Sequence, residues 1–322
     1  MRRVSRVAAL LAVVTVACDA GSPEGTSPAP TATGVAWRTL AEARTERTEV
    51  AAALIDGRIV VAGGFAEPNR TVDTVEIYDI AADEWRDGPP LPIPVNHGMA
   101  AAVGGEAFVF GGYTAEGPPT DRAFVLRGET WEELPRMPEP RSAGGAVVVD
   151  GRVYVVGGIG PAGVAATTMV FDPASNRWTR AAGLGRPREH MGVAALDGAV
   201  YAVGGRAGTL EGFGDVERYD PGTDTWTRLP ELPTPRGGMA AAATTNGYVV
   251  ALGGEEEGGT FEEAEAFDVE QERWLSLPPL PTPRHGLGVV ADGTTVYAIA
   301  GGPEPGLHFS GALESIDLAP VR

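Results

Sequence analysis

Cysteine is nearly absent from this chain. One residue in 322, Cys18, carries a thiol. It lies upstream of every repeat, so disulfides and thiol redox chemistry are excluded from the folded body. Positive charge is short as well: 25 Lys and Arg face 43 Asp and Glu, for a formal net charge of −18. Such a surface repels nucleic acid and anionic headgroups, and neither is expected as a partner. The apolar run near the N-terminus, Val7–Ala17, has eleven residues, too few to span a bilayer. Only four histidines are present, with no i, i+4 pair, and no metal or other cofactor is expected. Gly158-Ile-Gly-Pro-Ala-Gly163 has nucleotide-loop spacing, but Pro161 sits inside it and no helix follows to receive a phosphate. The acidic stretch from Glu255 to Glu265 lacks the ligand spacing of a calcium loop.

Glycine, by contrast, is abundant and periodic. Six diglycines, Gly63-Gly64, Gly111-Gly112, Gly157-Gly158, Gly204-Gly205, Gly253-Gly254 and Gly301-Gly302, follow one another at steps of 48, 46, 47, 49 and 48 residues. A fixed period of this length marks a blade-by-blade array. Each diglycine closes a short β-branched or aromatic run such as Arg152-Val-Tyr-Val-Val, too short for a helix. Most runs are preceded by Asp-Gly or Asn-Gly, as at Asp56-Gly57 and Asn246-Gly247, the residues that a two-residue hairpin turn needs. Small side chains upstream (Ala51–Ala53, Ala100–Ala102, Ala240–Ala243) suit an inner strand where all blades converge.

Thirteen or fourteen residues beyond each diglycine stands a bulky apolar residue: Tyr78, Leu126, Phe171, Tyr219, Phe267 or Ile316. In five repeats an Asp follows it, and in five a tryptophan comes next (Trp85, Trp131, Trp178, Trp226, Trp274). Four strands per repeat predict an all-β, six-bladed propeller with antiparallel blades. The sixth repeat ends without its tryptophan, while Trp37 opens a matching segment at the other end. The N-terminal strand around Trp37 is therefore expected to complete the last blade, which removes exposed sheet edges. A diglycine, a strand-c aromatic and a tryptophan at this spacing resemble kelch repeats, over residues 35–319. Blade 2 departs most, with Leu126-Arg127 for the aromatic-Asp pair and Val95 where the other blades carry arginine.

Residues 1–17 read as a signal peptide, with basic Arg2, Arg3 and Arg6 before the apolar run. Cys18 after Thr15-Val16-Ala17 resembles a bacterial lipobox, which implies lipidation of Cys18. The alternative is a leader cleaved after Ala20. Residues 18–34, rich in Ser, Pro, Thr and Gly, read as a flexible tether, and residues 35–322 as one propeller domain. The expected location is the outer side of the bacterial cytoplasmic membrane, or secretion, as a monomer touching the membrane only through its lipid.

Ten residues after each tryptophan comes a common slot: Arg47, Val95, Arg141, Arg188, Arg236, Arg284. Strand direction places the slot and the loops after the diglycines on one face, gathering Asn96, His97, Glu189, His190 and His285 with Phe65, Tyr113, Arg206 and Glu255. In kelch propellers this face generally takes ligands, with slot arginines contributing. Five guanidinium groups around one opening would suit carboxylates or sulfates. The competing role for the same arginines is structural, bonding loop carbonyls. The least repetitive positions, Asn96-His97, Glu189-His190 and His285, are the stronger functional candidates.

The expected function is an envelope binding module that engages an acidic protein segment or an anionic glycan through this face. The alternative is a carbohydrate-active enzyme similar to sialic-acid mutarotases, with Glu189, His190 and Arg188 as candidate catalytic residues. Two other classes built on propellers are excluded. Copper radical oxidases need a cysteine inside the propeller, and the sialidase Ser-x-Asp-x-Gly-x-x-Trp box is missing.

Overall fold

The computed structural model describes residues 29–319 and Val321; the leader, Cys18 and most of the tether lie outside the described residues. Within these bounds every regular element is a β-strand. Blade 1 comprises Ala51–Ile55, Arg58–Ala62, Val75–Asp79 and Glu84–Asp87, strands a to d, paired antiparallel in that order. Blades 2 to 5 repeat the unit from Met99, Gly145, Gly192 and Gly237. In blade 6, strands Gly288–Asp292, Thr295–Ile299 and Leu313–Asp317 are completed by Trp37–Thr39, with Trp37 opposite Ile316. The ring closes as the repeat count requires. Strands a lie side by side around the axis, and alanine and valine side chains from all six line the central channel.

Six hydrophobic clusters hold the ring together, each between two neighbouring blades. The tryptophans explain part of the period. In blades 1, 3, 4 and 5 the tryptophan packs on the strand-c aromatic of its own blade, as Trp85 on Tyr78 at 5.1 Å between ring centroids. Its indole N–H then donates to a carbonyl of the segment leading in from the preceding blade: Trp85 to Ala41 at 2.7 Å, Trp226 to Ala182 at 2.9 Å, Trp37 to Pro278 at 2.8 Å. A half-buried indole needs such a partner. Leu126 replaces the aromatic in blade 2, yet Trp131 still donates to Pro89 at 2.8 Å.

The diglycines serve the same junctions. In blades 1 to 5 the second glycine's N–H donates to the slot carbonyl of the following blade, as Gly64 to Val95 at 2.8 Å, Gly112 to Arg141 at 2.8 Å and Gly158 to Arg188 at 2.9 Å; in blade 6 the first glycine, Gly301, donates to Arg47 at 2.7 Å. The strand-c aspartates cap their turns; Asp79 Oδ1 accepts the N–H groups of Ala81 and Ala82 at 3.1 Å.

Candidate functional site

The slot and the loops after the diglycines do share one end of the propeller, bridged by backbone pairs such as Thr48–Phe65, Glu189–Arg206 and His285–Gly302. The slot arginines, however, do not line an open mouth. Arg47, Arg141, Arg188, Arg236 and Arg284 are all 0% exposed. Arg47 donates to Gly63 O and Thr74 O at 2.9 Å and to Glu76 at 2.8 Å. Arg188 pairs with Glu217 at 2.7 Å, Arg284 with Glu314 at 2.6 Å, and Arg236 with Glu265. These four glutamates occupy one position of strand c. Arg141 faces Met169 there, and takes Glu139 at 2.7 Å and Thr167 at 2.8 Å instead. Burial lowers the pKa of Arg47, Arg188 and Arg284, and their glutamates oppose the shift. Of the two roles weighed for the slot, this geometry is that of carbonyl binding within the blade wall. The positive funnel expected from five converging guanidinium groups does not form.

Two residues past the slot lies a second ring. Glu49, His97, Ala143, His190, Gly238 and Gly286 all have positive φ, between 50° and 74°. Each N–H donates to the carbonyl of the preceding member, at 2.7–3.0 Å, from His97 to Glu49 around to Glu49 and Gly286. Six hydrogen bonds therefore form a closed circuit about the axis. A left-handed backbone is unfavourable for ordinary residues, so the interblade bonds hold these side chains in place.

Three side chains of this ring converge at the end of an axial cavity of about 130 Å³. Glu49 Oε2 lies 3.2 Å from His97 Nε2 and 3.9 Å from His190 Nε2. His285 Nδ1 approaches the other oxygen, Glu49 Oε1, at 3.3 Å, and Glu255 Oε1 at 3.7 Å. Arg206 Nη1 donates to Glu255 Oε1 at 2.8 Å, and its Nε is 3.5 Å from Glu189 Oε1. Burial raises the Glu49 carboxyl, but His97, His285 and His190 outweigh it and hold it below the usual carboxylate range. Burial pushes His97 and His190 below the ordinary imidazole value against the pull of Glu49. Burial also lowers His285, but Glu49 and Glu255 together raise it.

Beside this cluster, on the rim of blades 1 and 2, is a cleft of about 610 Å³ lined by Phe65, Arg70, Asn96, His97 and Tyr113 among others. Phe65 and Tyr113 meet His97 edge-on, at 5.9 and 5.5 Å. Arg70 is exposed; it donates to Glu67 O at 3.2 Å and has no carboxylate partner among the described residues.

The Kelch-repeats domain model described as KLHDC2/KLHL20/DRC7 matches residues 51–231 and 100–302, most of the ring just described. The chain belongs to the kelch-repeat family. It is 32% identical over 89 residues to the human Kelch repeat and BTB domain-containing protein 12, covering 24% of this chain and 14% of that protein. It is 37% identical over 59 residues to an F-box/kelch-repeat protein of Arabidopsis thaliana, covering 18% of this chain and 15% of that protein. The chain thus spans about one-seventh of the length of the curated relatives it matches. A kelch-repeat propeller implies a protein-interaction module.

On this kelch scaffold Asn96, His97, Glu189, His190, His285, Arg206 and Glu255 come together, with Tyr113 and Phe65 at their edge. Glu49 was not among the sequence candidates. Aligning the column two residues past the slot places Glu49 beside His97 and His190, and that signal was available in the repeat.

Proposed function

We propose that this kelch propeller binds an acidic protein segment in the cleft between blades 1 and 2. What supports the reading is one juxtaposition: two half-buried aromatics, Phe65 and Tyr113, flank an exposed arginine, Arg70, that has no acidic partner of its own. The aromatics offer stacking surface, and the guanidinium offers a fork for a carboxylate. Arg70 thus takes the part first given to the slot arginines, which are enclosed inside the blades. The mutarotase alternative is less well supplied. Arg188 is enclosed and bound to Glu217, so it has no free face for a sugar carboxylate. Glu189 and His190 are turned against each other.

Panning a random peptide display library on the full chain tests the proposal. Peptides with an acidic residue next to an apolar one are expected to be enriched. Tyr113→Ala should weaken a selected peptide by about 2 kcal/mol, roughly 30-fold, and Arg70→Glu should abolish the acidic preference. Enrichment of basic peptides, or binding indifferent to both changes, would sink the reading.

We further infer from the basic start, the apolar Val7–Ala17 run and Cys18 that the protein is exported and held at the cell envelope by a lipid on Cys18. Cys18→Ala is expected to move it from the membrane fraction to the soluble fraction. Retention of the variant in the membrane fraction would contradict the anchor.

A further inference from the structure

Three possible metal-ligand atoms converge at the axial mouth, from Glu49, His97 and His190. The Nδ1 atom of His97 bonds Asn96 Oδ1 at 2.5 Å. Asn96 Nδ2 in turn donates to Thr71 Oγ1 at 2.7 Å. That orientation puts the His97 proton on Nδ1 and leaves Nε2 with a lone pair. His190 likewise has the residue before it against its ring. Its Nδ1 lies against the Glu189 carboxylate, while Glu189 Oε1 accepts the Gly208 N–H at 3.2 Å. The ring turns its other nitrogen, Nε2, to Glu49 Oε2 at 3.9 Å. Both Nε2 atoms face Glu49 Oε2, and the three ligand atoms lie within 4.8 Å of one another. Two imidazole nitrogens and a carboxylate oxygen so placed point three metal-ligand atoms at one spot, close enough together for a single ion to share.

We propose that Glu49, His97 and His190 form a binding site for a divalent transition ion of the zinc class. Two histidines and one glutamate, with a fourth position open, are a donor set that zinc accepts. Metal–ligand bonds of about 2.0–2.1 Å set tetrahedral edges of about 3.3 Å. The Glu49–His97 separation of 3.2 Å already meets this, and the Glu49–His190 separation of 3.9 Å needs only a small rotation. Metal-binding histidines usually give their other N–H to a carboxylate or a carbonyl oxygen, and here the residue just before each histidine sets such an oxygen group beside its Nδ1. His285, 3.3 Å from Glu49 Oε1, braces the oxygen that does not face the histidines. The three ligands stand on the hydrogen-bonded backbone circuit, so their Cα positions are set by the closed ring of blades. The fourth position opens towards the axial cavity, which has room for water or for an oxygen donor from a ligand.

The site is assembled from blades 1, 2 and 4. Only one histidine falls in each of the contributing repeats that carry one, so no local spacing announces it. The proposal does not depend on the peptide cleft, although His97 borders both.

The test is zinc titration of the full chain after chelator treatment, followed by calorimetry and elemental analysis. One zinc per chain is expected, with a rise in melting temperature as zinc is added. Glu49→Gln and His190→Ala should each abolish the one-to-one binding. Glu189→Gln, which neutralises the carboxylate beside His190 and keeps an oxygen for the Gly208 N–H, should weaken it roughly tenfold or more. His308→Ala, at an exposed histidine beside Glu304, should leave it unchanged. Cobalt in place of zinc should show the visible bands of a four- or five-coordinate nitrogen–oxygen site, lost in Glu49→Gln. Circular dichroism of each variant separates loss of binding from loss of fold, and Glu189→Gln gives a graded readout if a ligand variant fails to fold. The proposal is overturned if the wild-type chain takes up no zinc against a weak competing chelator. It is equally overturned if folded Glu49→Gln and His190→Ala bind like wild type, or if uptake is lost in His308→Ala.

Discussion

Glu217→Ala is expected to destabilise the propeller by about 3–5 kcal/mol, because it leaves the Arg188 guanidinium buried and unpaired. Both partners are enclosed, with 0% and 4% of their side-chain surface exposed, so solvent screening does not dilute the effect as it does at a surface pair. Glu217 also accepts the Gly185 N–H at 2.9 Å, and that donor is stranded too. Removing both charges should hurt far less. Blade 2 already carries the apolar version: Val95 stands in the slot and Phe124 at the strand-c position, each 2% exposed. The double change Arg188→Val with Glu217→Phe copies that pair into blade 4. It is expected to lie within about 2 kcal/mol of the parent, since well-packed apolar replacements of buried ion pairs are often close to neutral. Urea midpoints at constant m-value measure both. A cost below about 1 kcal/mol for Glu217→Ala, typical of exposed pairs, would show that the pair is not load-sharing within the blade.

Gly111→Ala should be nearly as damaging, and for a different reason. Its φ is 60°, and a Cβ there would stand 2.0 Å from the Arg141 carbonyl oxygen. The left-handed backbone costs roughly 1–2 kcal/mol for a residue with a Cβ. Forcing two blades apart adds overpacking of about 1–3 kcal/mol. Gly57 is the matched control: its φ is 73° and nothing lies within 4 Å of its would-be Cβ. Gly57→Ala should show the backbone cost alone, about 1–2 kcal/mol. The gap between the two variants in urea unfolding isolates the interblade contact. Equal costs would mean that the diglycine is conserved along the chain for its turn alone and not for close approach.

Much of the fold was legible because the repeat states the same instruction six times. The Asp-Gly turns, the strand-c aromatic and the tryptophan are local signals, and their copies correct one another. Trp37 shows how far this reaches. Its spacing to Arg47 matches the spacing in every later blade, so its pairing with Ile316, at the far end of the chain, followed from counting.

The site was legible only in part. His97, Glu189, His190 and His285 stood out because they break the repeat, and they do lie at one mouth. Glu49 breaks it equally, but an isolated acidic residue in an acidic chain draws no notice until its column is aligned. The slot arginines misled for the opposite reason. Their recurrence fits either a charged rim or a blade strut, and residue type alone does not say which way a side chain turns. That choice depends on Glu76, Glu217, Glu265 and Glu314, roughly thirty residues downstream on strand c, which become neighbours only when the blade forms.

The sequence by itself thus determined the blade count, the strand order and the closure, since each follows from local turn chemistry and a period that any copy reveals. The tertiary structure alone decided which charges are buried against one another and which three side chains meet on the axis. Those outcomes depend on distances between blades, where a carbonyl or carboxylate a few ångströms away outweighs anything the neighbouring residues in the chain can impose.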